Sequence, residues 1–145
     1  MPHTIKTLLE LFEHGTYIDG TFVLAKDHII LGGPTDLHND ENNERLVQRL
    51  VDEGYDGGAL LLNEYSDEYP HVEGTIGFIA GQSSGPMFYI NLNDNSEAHS
   101  ALKDPCFGKV VRGFDLLRRV AGMPKGEDGV FQSPIYIVGT KILDQ

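Results

Sequence analysis

Residues 74–95 read GTIGFIAGQSSGPMFYINLNDN, and residues 104–120 read DPCFGKVVRGFDLLRRV. Short apolar runs alternate here with clusters of Gly, Ser, Asn, Asp and Pro, the pattern of strands separated by turns. Strands are predicted at 75–80, 87–92 and 106–111. A small-residue loop joins the first two, and a polar loop precedes the third. Residues 113–120 then carry Phe114, Leu117 and Val120 at helical spacing. Several short strands with a short helix indicate a small barrel or α+β domain.

The rest of the chain extends this pattern. Ile5, Leu8, Leu9 and Phe12 recur at helical spacing over residues 4–14, and Gly15 is a natural stop. An Asp19-Gly20 turn precedes strand-like runs at 21–25 and 28–31, which end at Gly32-Gly33-Pro34. Asp40 is placed to cap a second helix near 41–53, with Glu41 and Glu44 in its first turn. Leu46, Val47, Leu50 and Val51 give that helix one apolar face, and Gly54 ends it. Residues 59–62 read as a strand and 63–71 as a polar connection. Ile135, Ile137 and Gly139 alternate with Tyr136, Val138 and Thr140, predicting a closing strand packed on both sides. No internal repeat or linker interrupts the chain, so 1–145 reads as a single domain.

Composition narrows the functional classes. At 145 residues, with 40% hydrophobic and 23% charged residues, the chain is long enough to bury one core. Its 22 acidic residues against 11 basic ones give a net charge of -11. Nucleic acids and anionic membranes are bound by basic stripes, and none is present, so neither is expected as a partner. The single cysteine, Cys106, cannot form an internal disulfide. The N-terminal stretch has no apolar run of signal-peptide length, and no segment reaches the ~18 residues of a membrane span. A cytoplasmic or other intracellular soluble compartment is therefore expected.

The chemistry-bearing residues form no familiar constellation. The six histidines never fall three or four apart, and there is no cysteine pair, so no metal site is expected. Asp36, His38, Asp40 and Asn42 echo a calcium loop but lack its glycine and terminal glutamate, and read better as an acidic helix-capping loop. Cys106 opens an apolar strand with no adjacent cation to activate it, and reads as a buried thiol. Gly32-Gly33 and Ser83-Ser84-Gly85 are too short to cradle phosphate and read as turns. Acid pairs such as Asp67-Glu68 sit in solvated segments, without support for a glycosidase-type pair. No cofactor is implied.

Taken in order, the motifs resemble those of the cyclophilins, a barrel family that isomerises peptide bonds preceding proline. The run from Tyr17 through Asp19, Gly20 and Thr21 to Phe22 resembles the family's Y-D-G-T-x-F-H-R segment. Leu31-Gly32-Gly33 corresponds to Q-G-G, Gly85 to Ile90 to G-S-Q-F-F-I, and Phe107 to Gly113 to F-G-K-V-x-x-G. Gly139 falls in the counterpart of the terminal strand. The resemblance implies a cyclophilin-like antiparallel β-barrel with an inserted helix near 41–53. In the family two strands precede the first helix, whereas this chain begins almost at that helix; the missing pair would lie upstream of Met1, come from a partner, or be covered in part by the helix near 41–53.

The resemblance also implies an arginine that hydrogen-bonds the prolyl nitrogen over an apolar pocket. At the corresponding positions the family's His-Arg reads Val23-Leu24, and its two glutamines read Leu31 and Met87. Phenylalanine and methionine become His28 and Ile29, a second phenylalanine becomes Tyr89, and the pocket histidine becomes Asp104. The tryptophan-bearing segment is rewritten around residues 97–100. Leu24 and Met87 cannot donate the hydrogen bonds that stabilise the twisted amide. The expectation is a domain that binds proline-containing or extended peptides, or a protein partner, with weak or absent isomerase activity. Its groove would comprise His28, Ile29, Leu31, Met87, Tyr89 and Asp104. Two alternatives stand beside it. One is a working isomerase that recruits Lys26, His28 or a shifted arginine. The other is a structural subunit whose missing strands come from a partner or from a homo-oligomer.

Overall fold

A computed structural model describes residues 2–55, 64–80 and 86–144. The strand expected at 59–62 and the turn at Ser83-Ser84-Gly85 lie outside the described residues. Helix α1 (Pro2–Glu13) leads into β1 (Thr21–Ala25) and β2 (Ile29–Gly33), followed by helix α2 (Asp40–Asp52). Then come β3 (Thr75–Phe78), β4 (Phe88–Asn91), α3 (Ser96–Leu102), β5 (Cys106–Lys109), α4 (Phe114–Ala121) and β6 (Val130–Tyr136). The described strands form one antiparallel sheet in the order β5-β3-β4-β2-β1-β6. Among the described residues the sheet is open, with β5 at one end and β6 at the other; a bridge from Lys125 to Phe131 covers the start of β6. No described helix is long and apolar enough to cross a membrane.

Because side chains alternate between faces along a strand, register decides what is buried. Ala25, Ile30, Ile90 and Ile76 are cross-strand partners and form one row of the inner face. Phe22, Gly32, Phe88 and Phe78 form the next row. Ala25, Ile30, Ile90, Leu92 and Phe131 make the buried cluster, with Phe114, Leu117 and Val120 of α4 packed on it. Toward the other row, Phe12 meets Tyr17 edge-on at 5.3 Å and Tyr17 meets Phe88 at 5.6 Å. Leu11, fully buried, anchors α1 there.

The inserted helix α2 braces the turn after α1. Arg49 donates to the carbonyls of Gly15 (2.9 Å) and Ile18 (2.8 Å), and Asn42 Nδ2 donates to the Asp19 carbonyl at 3.0 Å. The N-cap is Asn39, not Asp40: its extended backbone lets its side-chain oxygen accept from Asn42 N–H at 2.9 Å. Asp40 is instead the first helical residue, where its charge favours the helix N-terminus.

Two further expectations are corrected. The segment rewritten around 97–100 is not loop: it belongs to α3, whose single inward polar residue, His99, hides its amphipathicity. The final strand lies earlier, at β6, and residues 137–140 run on without regular pairing. It is an edge, not a strand packed on both sides. Pro134 is tolerated there because an edge strand leaves alternate N–H groups unpaired.

Candidate functional site

The outer face of the sheet begins as an apolar row. Leu24 pairs with Leu31, Leu31 with Tyr89, and Tyr89 with Gly77. Leu24 and Leu31 are half-buried, whereas Tyr89 is buried. One step along the face, Ile29 pairs with Asn91. Met87, also buried, lies with its sulfur against Gly33, where a Cβ would collide with it. Among the described residues no arginine, lysine or glutamine stands in the first row; in the second, Lys109 follows at the far edge as the partner of Thr75. The only hydroxyl in the first row is that of Tyr89.

That hydroxyl points into a buried polar network. Gly77 has no side chain, so the Tyr89 ring lies over it; a Cβ there would stand 2.8 Å from Tyr89 Cζ. Tyr89 thereby reaches across β3 and donates to Asp104 Oδ2 at 3.0 Å. His99 Nδ1, on α3, is 2.9 Å from the same oxygen, and Ala80 N–H donates to Oδ1 at 2.9 Å. The Asp104 carbonyl lies 3.0 Å from His71 Nε2, so that nitrogen carries the proton. His71 Nδ1 is then left to accept from Asn91 Nδ2 at 3.4 Å, which also donates to Thr75 Oγ1 at 3.0 Å. The rings of Tyr89 and His99 stack at 4.5 Å, and those of His71 and His99 sit 4.9 Å apart.

The charge states follow from this packing. Burial alone would raise the Asp104 pKa, but the hydrogen bonds from His99, Ala80 and Tyr89 outweigh it and hold the carboxyl below its usual range. Burial, reinforced by the neighbouring carboxylate, pushes the Tyr89 hydroxyl well above its ordinary value. Burial lowers the His71 pKa and raises that of the Cys106 thiol. Near neutral pH the network therefore holds an ionised Asp104 satisfied by three donors and a tyrosine fixed as a donor. Among the described residues His99 Nε2 has no partner. In the tautomer that donates from Nδ1 it is a bare lone pair, a smaller penalty than an orphaned N–H.

The groove residues expected from sequence thus divide. Leu31 and Ile29 lie on the outer face with Leu24, while Met87, Tyr89 and Asp104 are buried beneath or beside it. Lys26 and His28 are exposed at the β1–β2 turn. Lys26 lines a shallow cavity with Lys125 and Glu127, and the His28 carbonyl accepts from Leu92 N–H and Asn95 Nδ2. The structure does not bring either into the Tyr89–Asp104 network. Sequence reasoning missed His71 and His99, because residues 33 and 5 positions from Asp104 carry no local spacing signal.

Comparison with known proteins places this architecture. A family model described as cyclophilin type peptidyl-prolyl cis-trans isomerase matches residues 1–142. A peptidyl-prolyl cis-trans isomerase of Acinetobacter baylyi is 28% identical over 96 residues, which is 58% of this chain and 50% of that protein. The chain spans about half the length of this curated relative. Two crystal structures of a Cryptosporidium parvum cyclophilin type peptidyl-prolyl cis-trans isomerase share the fold at 18% identity. One, in the presence of the dipeptide Ala-Pro, has a TM-score of 0.71 and covers 99% of this chain and 87% of its own. The other has a TM-score of 0.72, with 99% and 85% coverage. The cyclophilin-like fold expected from sequence is the fold observed, with the sheet left open.

Proposed function

This chain belongs to the cyclophilin-type peptidyl-prolyl cis-trans isomerase family, and from that premise we propose that it binds extended, proline-containing segments while isomerising them weakly or not at all. The observation that carries this reading is the outer-face row Leu24–Leu31–Tyr89, apolar where the family resemblance implies an arginine and a glutamine. Amide rotation has a barrier of ~18–20 kcal/mol. Lowering it requires donors aimed at the amide, and each lost donor typically costs about 3–4 kcal/mol, or a few hundredfold in rate. The Tyr89 hydroxyl does not replace them, because it is buried and committed to Asp104.

The ligand class is supported by the Cryptosporidium relative crystallised in the presence of Ala-Pro. In this reading Leu31, Ile29 and His28 touch the ligand, and Met87, Tyr89 and Asp104 shape the surface from beneath. The segment's proline ring rests on the apolar row, which favours burial of its methylenes.

An NMR titration with an Ala-Pro-containing peptide tests this. Amide shifts at Leu24 and Leu31 without enhanced cis–trans exchange are expected. Exchange enhancement abolished by Lys26→Ala or His28→Ala would instead establish a working isomerase with a recruited group. A second reading, a subunit whose sheet is completed by another chain, is favoured by the outer edge of β5 and the second half of β6, which have no strand partner among the described residues; the start of β6 is covered by residues 124–126.

A further inference from the structure

Positive charge in this acidic chain is gathered around α4. Residues 103–125 hold six of the 11 basic residues and only two of the 22 acidic ones. The cations there divide by what they touch. Arg118 donates to Glu73 at 2.7 Å and to the Leu92 carbonyl at 2.8 Å, and lies over the Phe114 ring, so it fastens α4 to the domain. Lys103 sits over the Tyr65 ring, and Lys125 donates to the Ala121 carbonyl. Arg112 and Arg119, both exposed, form no ion pair among the described residues. Phe114, Leu117 and Val120 pack on the core, which turns Leu116 and Arg119 outward, one helical turn apart. Leu116 is 55% exposed, and the exposed Arg112 and Met123 extend this face past the two ends of the helix. The α4 face is therefore an apolar centre between two arginines, with Asp115 on its flank.

Helix α2 presents the counterpart. Leu46 and Leu50 are buried, which leaves Asp40, Glu44, Val47 and Val51 as an outward stripe at spacings of four, three and four. Val47 is 47% and Val51 45% exposed, and together they make one apolar patch between Glu44 and Asp52. The two arginines of α2 are engaged elsewhere. Arg45 donates to Asn42 Oδ1 at 2.8 Å, and Arg49 to the Gly15 and Ile18 carbonyls. This face is an apolar centre between two acids.

We propose that α4 of one copy of this chain docks on α2 of a second copy. Laid antiparallel, Leu116 covers Val47 and Val51 while Arg119 reaches Glu44 and Arg112 reaches Asp52. The antiparallel arrangement also sets helix ends of opposite partial charge side by side. Local charge selects the occupant, because acids flank the α2 valines where arginines flank Leu116. The net charge of -11 on each copy opposes the encounter, but beyond ~8 Å it is screened at physiological salt, whereas charges in contact are not. Within one molecule both faces are exposed, so neither covers the other. The contact is heterologous and leaves one α2 and one α4 face free at the ends of every dimer. Two short helices bury less than the ~1,200 Å2 of a standard interface, so association is weak and reversible. Leu24, Leu31 and Tyr89 take no part, and the contact is independent of the proline-binding reading.

Sedimentation velocity and amide shifts of the whole chain, followed up to about 1 mM at ~0.15 M salt, test it. Wild type should grow beyond a dimer as concentration rises, with shifts at Arg112, Leu116, Glu44 and Val47. Leu116→Glu and Val47→Glu, both on exposed positions, should each remain monomeric. Mixed in equal amounts they should stop at a dimer, because the first keeps its α2 face and the second its α4 face. Arg119→Glu should weaken association about tenfold or more, and adding Glu44→Arg to the same chain should restore it. A wild type that stays monomeric throughout overturns the proposal. Association that Leu116→Glu abolishes and Val47→Glu leaves intact overturns the choice of α2. Concentration-dependent shifts confined to β5 and β6, unmoved by either variant, overturn it in favour of sheet completion.

Discussion

Replacing Asp104 by alanine removes the acceptor on which three buried donors converge. Tyr89 Oη at 3.0 Å, His99 Nδ1 at 2.9 Å and Ala80 N–H at 2.9 Å all lose their partner, and Asp104 is only 3% exposed. A buried donor left unsatisfied costs about 1–3 kcal/mol. Three of them, eased by a water that the emptied site can admit, give a loss of about 3–6 kcal/mol. Against a typical domain stability of about 5–15 kcal/mol, that is a large fraction. Urea unfolding followed by circular dichroism, with the slope shared between variants, reads it directly. Tyr89→Phe deletes one donor and leaves the carboxylate two, so it should cost only about 1–2 kcal/mol. The pH dependence supplies an internal check. Because the folded Asp104 pKa lies below its unfolded value of about 3.9, the stabilisation is fully present above that value. It disappears as pH falls through the folded pKa, so wild type and Asp104→Ala should converge in acid. An Asp104→Ala loss below about 1 kcal/mol at pH 7 would refute the network as a brace.

Three further outcomes are expected. Gly77→Ala sets a Cβ within 2.9 Å of both the Tyr89 ring and the Pro105 carbonyl, so β3 and β5 must shift; a loss of about 1–3 kcal/mol in the same unfolding assay, with altered Tyr89 fluorescence, is expected. His71 is buried with a lowered pKa, so folding binds fewer protons than the unfolded chain below about pH 6.5, and stability should fall as pH drops through that region. In His71→Gln, which keeps a donor for the Asp104 carbonyl, that slope should shrink in a pH series of unfolding curves. Arg49→Ala frees the Gly15 and Ile18 carbonyls from α2, and hydrogen exchange should quicken in the turn after α1 at a cost of about 1–2 kcal/mol.

Much of this fold was legible because each described inner strand carries its own apolar run and turn residues. The runs around Ile30, Ile76 and Ile90 needed no tertiary information to read as strands, and Leu46 and Leu50 announced α2. Helix α3 was not legible: its buried anchor is a histidine, which a hydrophobic pattern counts as polar. The position of β6 was obscured because Gln132, Ser133 and Pro134 face solvent on an edge, where no packing imposes an apolar alternation. The candidate site was half legible. That Leu24, Leu31 and Met87 lack donors follows from their identity alone. That Tyr89 crosses Gly77 to join His71, His99 and Asp104 depends on the register of three strands, which a single sequence does not fix.

On the proposed reading, an apolar row occupies the place where a donor would lower the prolyl barrier. Exchange spectroscopy on an Ala-Pro-containing peptide, with catalytic amounts of the protein and an ordinary cyclophilin run alongside, tests it most directly. The row predicts a catalytic efficiency at least about a hundredfold below that reference, together with peptide-induced shifts at Leu24 and Leu31. Isomerisation as fast as the reference would contradict it.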